Sequence, residues 1–176
     1  MLLQSGQSPQ LASGAVAIRT ADGIGDRGVV ELATGTSADG NSGGLFLSTG
    51  DSFRGSAGSI VVSIGHSSGG QGGGVDVSTG HSEAEDGGDV NLISGRSSLG
   101  ASGAVYVSSA NSGTSGSSGD IVVSTGTSTA DNSGSVAIAT GHSGIRAGAI
   151  DILGGRSEAD DGAAVNVVAG DTASKN

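Results

Sequence analysis

Two histidines recur at the same interval along the chain, and with a nearby carboxylate they are the first candidates for chemistry. His66 and His81 lie 15 residues apart, and Asp51 precedes His66 by the same interval. Imidazole nitrogens and a carboxylate oxygen suit Zn²⁺ and other divalent transition metals. Arg96 continues the same series, so a row of solvated corner residues is the alternative, and the sequence favours it over a metal site.

Acidic side chains cluster in one stretch of the chain, at Glu83, Glu85, Asp86 and Asp89. Clustered carboxylate oxygens are the ligands that Ca²⁺ prefers. Calcium-binding solenoid repeats are nonapeptides, however, whereas the acidic stretches here recur over a longer period and skip copies. The sequence therefore predicts no cofactor, with calcium at these four carboxylates as the alternative.

No combination of residues indicates an active site. The glycine-rich stretch 69–74 is not a phosphate loop, because no lysine follows it and no helix opens after it. The chain has no cysteine, which excludes thiolate zinc sites and cysteine nucleophiles. Copies of a short repeat also leave no insertion long enough to build a substrate cleft. We predict that the protein is not an enzyme.

A repeat of about fifteen residues positions all of these side chains. Its consensus is G-x-V-x-V-S-T-G-x-S, followed by five variable and mostly small residues. We number repeat positions from the first residue of each copy. Repetition at a fixed period is the signature of a repeat architecture. Eleven copies follow a partial copy over 1–13, and they begin at residues 14, 28, 43, 58, 73, 88, 103, 119, 134, 148 and 163.

The third and fifth positions are aliphatic in all eleven copies, and the residues between them vary freely. This alternation with a period of two is typical of a strand with one buried face. Position three holds Val16, Val30, Leu45, Ile60, Val75, Val90, Val105, Ile121, Val136, Ile150 and Val165. Position five holds Ile18, Leu32, Leu47, Val62, Val77, Leu92, Val107, Val123, Ile138, Ile152 and Val167.

A strand of this kind needs neighbours, and stacked copies would supply them through parallel ladders. Glycine at position eight suits a corner. The serine that occupies position ten from Ser37 to Ser157 would bond either along its column or to nearby backbone. We therefore predict an all-β fold, a single β-solenoid of about eleven 15-residue coils forming one domain over 1–176.

The repeat unit resembles the short-coil, Gly/Ser/Thr-rich β-solenoid repeats of secreted or surface proteins of microalgae and other microbes. Its coil length is also similar to that of some insect antifreeze solenoids. The resemblance implies an extracellular or surface-associated location. Polar residues follow Met1, Leu2 and Leu3 at once, so no signal peptide is predicted in this chain.

Charge and hydropathy exclude several partners. The net charge is −10, which opposes binding to the phosphates of nucleic acids or to an anionic membrane surface. No apolar run approaches the ~20 residues of a membrane span, so no membrane insertion is expected.

These features predict a structural or adhesive protein that forms part of a fibre, appendage, coat or cell-wall layer. Self-association would run end to end, because the chain begins and ends within a copy of the repeat, or side by side through outward residues. The candidates for lateral contact are Phe46, Phe53, Val61, Leu99, Tyr106, Val122 and Ile145.

The alternative is binding to an ordered lattice such as ice, a mineral or a crystalline polysaccharide, through a flat face of small residues. The threonines of position seven are the candidate face, namely Thr20, Thr34, Thr49, Thr79, Thr125 and Thr140.

Overall fold

The structure is a computed structural model that describes residues 2–6, 13–25 and 28–171. The chain divides into two units, Met1–Val90 and Asn91–Asn176. Neither unit contains an α-helix or a β-strand in its described residues. The prediction of one domain over 1–176, with a partial copy over 1–13, falls partly on residues outside the described ranges and stays a prediction.

Bends are the recurring local structure. One lies in the variable part of each copy from residue 14 to residue 162, directly after position ten except in the copy that begins at 103, where Gly113 intervenes. Gly40 and Gly116 have φ angles of +117° and +98°, a region that side chains rarely tolerate, so glycine is required in these two bends. The bends span 24–25, 38–40, 53–55, 68–70, 83–85, 98–100, 114–116, 129–131, 144–145 and 158–160.

The serine at position ten stabilises the bend that follows it. Its Oγ accepts a hydrogen bond from the backbone N–H three residues later, as Ser52 does from Gly55 at 3.0 Å and Ser97 from Gly100 at 2.8 Å. Such local bonds from hydroxyls are typical of turns. The hydroxyl column thus bonds to nearby backbone. The other serines that do so are Ser67, Ser82, Ser128, Ser143 and Ser157.

Backbone hydrogen bonds close the variable part of several copies into a loop. Gly88 N–H donates to Gly80 O at 3.1 Å, and Gly103 N–H donates to Gly95 O at 2.9 Å. We call the stretch from position eight of one copy to position one of the next a closing loop. Loop 80–88 has a further bond, from Thr79 Oγ1 to Gly88 O at 2.9 Å.

Position seven packs against position one of the following copy. A Cβ added to Gly88 would lie 3.2 Å from Thr79 Cβ, and one added to Gly73 would lie 2.9 Å from the Ile64 side chain. In these two pairs, a side chain on both partners would be crowded, and the glycine at position one avoids this. The last copy reverses the arrangement, because Gly154 occupies position seven opposite Ala163, and a Cβ on Gly154 would collide with the Ala163 carbonyl oxygen.

No described residue is buried, including the aliphatic positions expected to form the core. Side chains at position three are 50–59% exposed, and those at position five are 62–78% exposed apart from Val167. The large side chains at position four are 80–91% exposed. Exposure therefore alternates with a period of two, as side chains do along an extended chain, but neither face is covered.

The total accessible surface agrees with this lack of burial. It is 18043 Å², whereas a compact monomer of 16.5 kDa would expose about 7,500 Å². Most of the apolar surface that the repeat carries is in contact with solvent.

The predicted all-β fold, a single β-solenoid of stacked 15-residue coils, is wrong for the described residues. A parallel stack requires each strand to exchange backbone hydrogen bonds with its neighbours. In residues 2–6, 13–25 and 28–171, the backbone–backbone bonds are confined to the ends of the closing loops 80–88, 95–103 and 155–163 and to the pair Gly14 N–H and Gly6 O.

The physical reason for the correction is a balance between entropy and burial. About a fifth of the chain is glycine, the residue that loses most conformational freedom on ordering. Two aliphatic side chains per copy bury little surface in return. The alternating pattern therefore sets the direction of the side chains without producing a sheet.

Candidate functional site

The two most organised stretches of the molecule are nearly identical acidic closing loops, one in each unit. Loop 80–88 reads GHSEAEDGG and loop 155–163 reads GRSEADDGA. Backbone bonds of 3.1 Å and 2.9 Å between their end residues close them. Ser82 and Ser157 each accept N–H bonds from two residues of the bend. The two loops are identical at six of their nine positions, and they share the same pattern of local hydrogen bonds.

Serines are the least exposed residues of the described chain, and they mark where the closing loops pack. Ser82 and Ser157 at position ten, and Ser5 and Ser94 at position seven, are partly covered, whereas every other described residue is exposed. The hydroxyl at position ten is covered by the bend it holds. The side chain at position seven is covered by the glycine backbone opposite, as shown by the 3.4 Å between Ser94 Cβ and a Cβ added to Gly103.

The calcium candidates lie in and beside the first acidic loop. Glu83 and Glu85 belong to its bend, Asp86 follows the bend, and Asp89 lies just beyond the loop. All four carboxylates are exposed. Within the described ranges, no three His, Asp or Glu side chains form a group that could hold a metal ion. The structure does not gather these four residues into a coordination site.

The histidine candidates are also exposed and also lie outside any group of described residues that could hold a metal ion. His66 and His81 each directly precede the position-ten serine of their copy, and both are exposed, as is Asp51. They belong to no metal-binding group among the described side chains. Without stacked coils, the interval of 15 residues no longer makes these side chains neighbours.

The seven lateral-contact candidates are all exposed in the structure. Phe53, Leu99 and Ile145 lie in bends. The Phe46 ring has one neighbour of its own. It lies over Gly44, where an added Cβ would be 3.1 Å from the ring. The remaining three are Val61, Tyr106 and Val122 at position four.

Two features of the molecule were not recognised from the sequence. One is the pairing of position seven with the next position one, for which the exchange of Gly154 and Ala163 is a signal in the sequence. The other is the exposure of the aliphatic columns, which the alternating pattern alone does not indicate. Together they give a chain of locally closed loops joined by segments with exposed apolar side chains.

The described part of the chain offers a surface and contains no enclosed site. No pocket is found in it. None of its residues forms a helix of the length and apolar character needed to cross a membrane. No family model, curated protein or solved structure matches the chain.

Proposed function

We propose that the protein is a structural or adhesive repeat protein, which contributes to a fibre, appendage, coat or wall layer by associating with further copies of itself. The observation that carries the proposal is the exposure of the same aliphatic pair in copy after copy of the repeat. Exposed apolar side chains that recur in every copy of the repeat are a feature of interaction surfaces, whereas an ordinary solvated surface carries them singly.

The location that we propose for this material is extracellular or at the cell surface. Its support is the resemblance of the Gly/Ser/Thr-rich repeat to those of secreted and surface proteins. The acidic character of the chain, with 17 Asp and Glu against 7 Lys and Arg, would keep separate chains soluble until they assemble.

The salt dependence of the molecular mass tests the proposal. Chains of net charge −10 repel one another, and the range of that repulsion falls from ~30 Å at 0.01 M salt to ~8 Å at 0.15 M salt. Apolar contact is not weakened by salt. We expect light scattering to show masses above 16.5 kDa that grow as the salt concentration rises, and electron microscopy to show assemblies in the same samples.

Two results would contradict the proposal. A protein that stays monomeric at every salt concentration and every protein concentration would rule out self-association. Assembly that dissolves as salt is added would show that attraction between charges holds the copies together, and the exposed aliphatic surface would then have no part in it.

A further inference from the structure

The strongest unassigned feature is the segment formed by repeat positions two to six, which we call the aliphatic segment. We infer that a second copy of this chain docks along the aliphatic segments, with positions three and five as the contact face and with backbone hydrogen bonds between the two copies. This inference rests on the proposed function, and it names the surface and the way in which the copies meet.

The first support is the amount of apolar surface. Fully burying an aliphatic side chain removes about 60–120 Å² from water, as follows from ~1.5–3 kcal/mol at ~25 cal/mol per Å². The 22 side chains at positions three and five are mostly half to three-quarters exposed. Together they offer on the order of 1,000 Å² of apolar surface per protein chain. An interface of standard size needs about 800 Å² from each partner.

The second support is the distribution of charge within the aliphatic segments. Positions three and five carry no charged residue in any copy, so a partner on this face desolvates no charge. Charges occur only at the positions between them and on either side. These are Arg19, Glu31, Asp76, Asp89, Asp120 and Asp151.

The third support is the state of the backbone. In the described ranges, no backbone–backbone hydrogen bond involves positions two to six, since all such bonds join position eight to position one. The N–H and C=O groups of the aliphatic segments are thus free to pair with another chain. Addition of an extended segment combines backbone bonds with contacts from alternate side chains, and here alternate side chains are the aliphatic ones.

The spacing of the segments identifies the partner. Aliphatic segments recur every 14 to 16 residues, with closing loops between them. A second copy carries the same apolar pairs at the same intervals, so contact at one segment brings the following segments into register. Linked segments that bind in this way gain from effective concentration, which makes the whole chain bind more tightly than one segment.

Two matched variants test the contact face. The first replaces Val62, Val77, Val107 and Val123 of position five with Asp. The second replaces Phe46, Val61, Tyr106 and Val122 of position four with Asp. Each variant adds four negative charges, two in each unit, and each changes only exposed side chains. Their net charge is therefore matched, and they differ in the face that carries the change.

We expect the position-five variant to need at least a hundredfold higher protein concentration to assemble at the salt concentration where the wild type assembles, because it places charges in the contact. The position-four variant should assemble within about threefold of the wild-type concentration. A neutral variant with Thr at the four position-five sites should need about tenfold more protein, since Thr matches the shape of Val but is polar.

Hydrogen exchange supplies the second readout. On assembly, amide exchange should slow at positions two to six by at least tenfold and stay unchanged at the bends. Slowing confined to the closing loops would overturn the inference.

The remaining outcomes separate the inference from the proposed function. Normal assembly of the position-five variant with loss in the position-four variant would assign contact to the lateral residues and overturn the inference. Equal loss in both variants would show a general effect of charge and would overturn it as well. A wild type that never assembles would overturn both the inference and the proposed function.

Discussion

At the scale of single residues, the chain is organised by the contact between position seven and the following position one. Thr79 and Gly88 illustrate it, because Thr79 Cβ lies only 3.2 Å from the place of a Cβ added to the glycine. The threonine hydroxyl also donates to the Gly88 carbonyl oxygen at 2.9 Å. Gly154 and Ala163 show the same pairing with the side chain on the other partner. In these pairs, the glycine on one side leaves room for the side chain on the other.

Replacing Gly88 with Ala should open loop 80–88. The new Cβ would lie 3.2 Å from Thr79 Cβ and 3.5 Å from Gly80 N, so the loop must shift and weaken the bond from Gly88 N–H to Gly80 O. Losing that bond costs about 1 kcal/mol. We expect amide exchange at residue 88 to become about fivefold faster, as measured by NMR.

The controls for Gly88→Ala use positions of the same loop. Gly80→Ala should be silent, because nothing lies within 4 Å of the added Cβ. Adding Thr79→Gly to Gly88→Ala should restore slow exchange, since that pair reproduces Gly154 and Ala163. If the double variant exchanges as fast as Gly88→Ala alone, steric contact with Thr79 does not explain the glycine.

At the scale of elements, the unit of structure is a bend held by a serine within a closing loop. The hydroxyl at position ten and the backbone N–H groups that bond to it lie two and three residues apart in sequence. A contact of this range costs little chain entropy to form. Each bend therefore forms without help from the rest of the molecule.

Replacing Ser82 with Ala should loosen the bend 83–85 alone. The substitution removes the acceptor for Glu85 N–H at 2.9 Å and Ala84 N–H at 3.4 Å, and a turn bond of this kind is worth about 1 kcal/mol. Amide exchange at residue 85 should become about fivefold faster, while that of Asp160 in the second acidic loop stays constant.

The matched changes around Ser82 separate the hydroxyl from the size of the side chain. Ser82→Thr keeps the hydroxyl acceptor, so the amide of residue 85 should exchange at the wild-type rate. Ser78→Ala removes a hydroxyl from position six and should leave residue 85 unchanged. A change at Asp160 in the Ser82→Ala variant would show that the two acidic loops do not form independently.

At the scale of the whole molecule, the notable property is the absence of buried residues in the described ranges. Cooperative unfolding depends on a core whose contacts are lost together. Loops that close locally open one by one, with free energies close to zero. The separate chain therefore has little structure to lose in a single transition.

Calorimetry checks this consequence. A folded domain of 176 residues would absorb about 120 kcal/mol on unfolding, at ~0.7 kcal/mol per residue. At low salt, where charge keeps the copies apart, we expect no such heat absorption peak between 10 and 90 °C. At a salt concentration that causes assembly, a peak should appear. A sharp peak at low salt would show that the separate chain has a packed core.

The sequence alone determined the features that depend on nearby residues. The period and register of the repeat and the alternation of side-chain direction at positions three to five follow from residue types a few positions apart. The residue types also limited the position-ten serine to bonds along its column or to nearby backbone, and the structure shows the second.

The tertiary structure alone decided whether the aliphatic segments pair with one another, because pairing depends on distant contacts. Val77 fits the pattern of a buried strand residue, yet it is 76% exposed. A periodic sequence specifies which side chains would face a core, but ordering a glycine-rich chain around that core must be offset by surface buried between copies of the repeat. In the described residues, the backbone bonds are local and the aliphatic pairs do not cover one another, so the apolar face remains open.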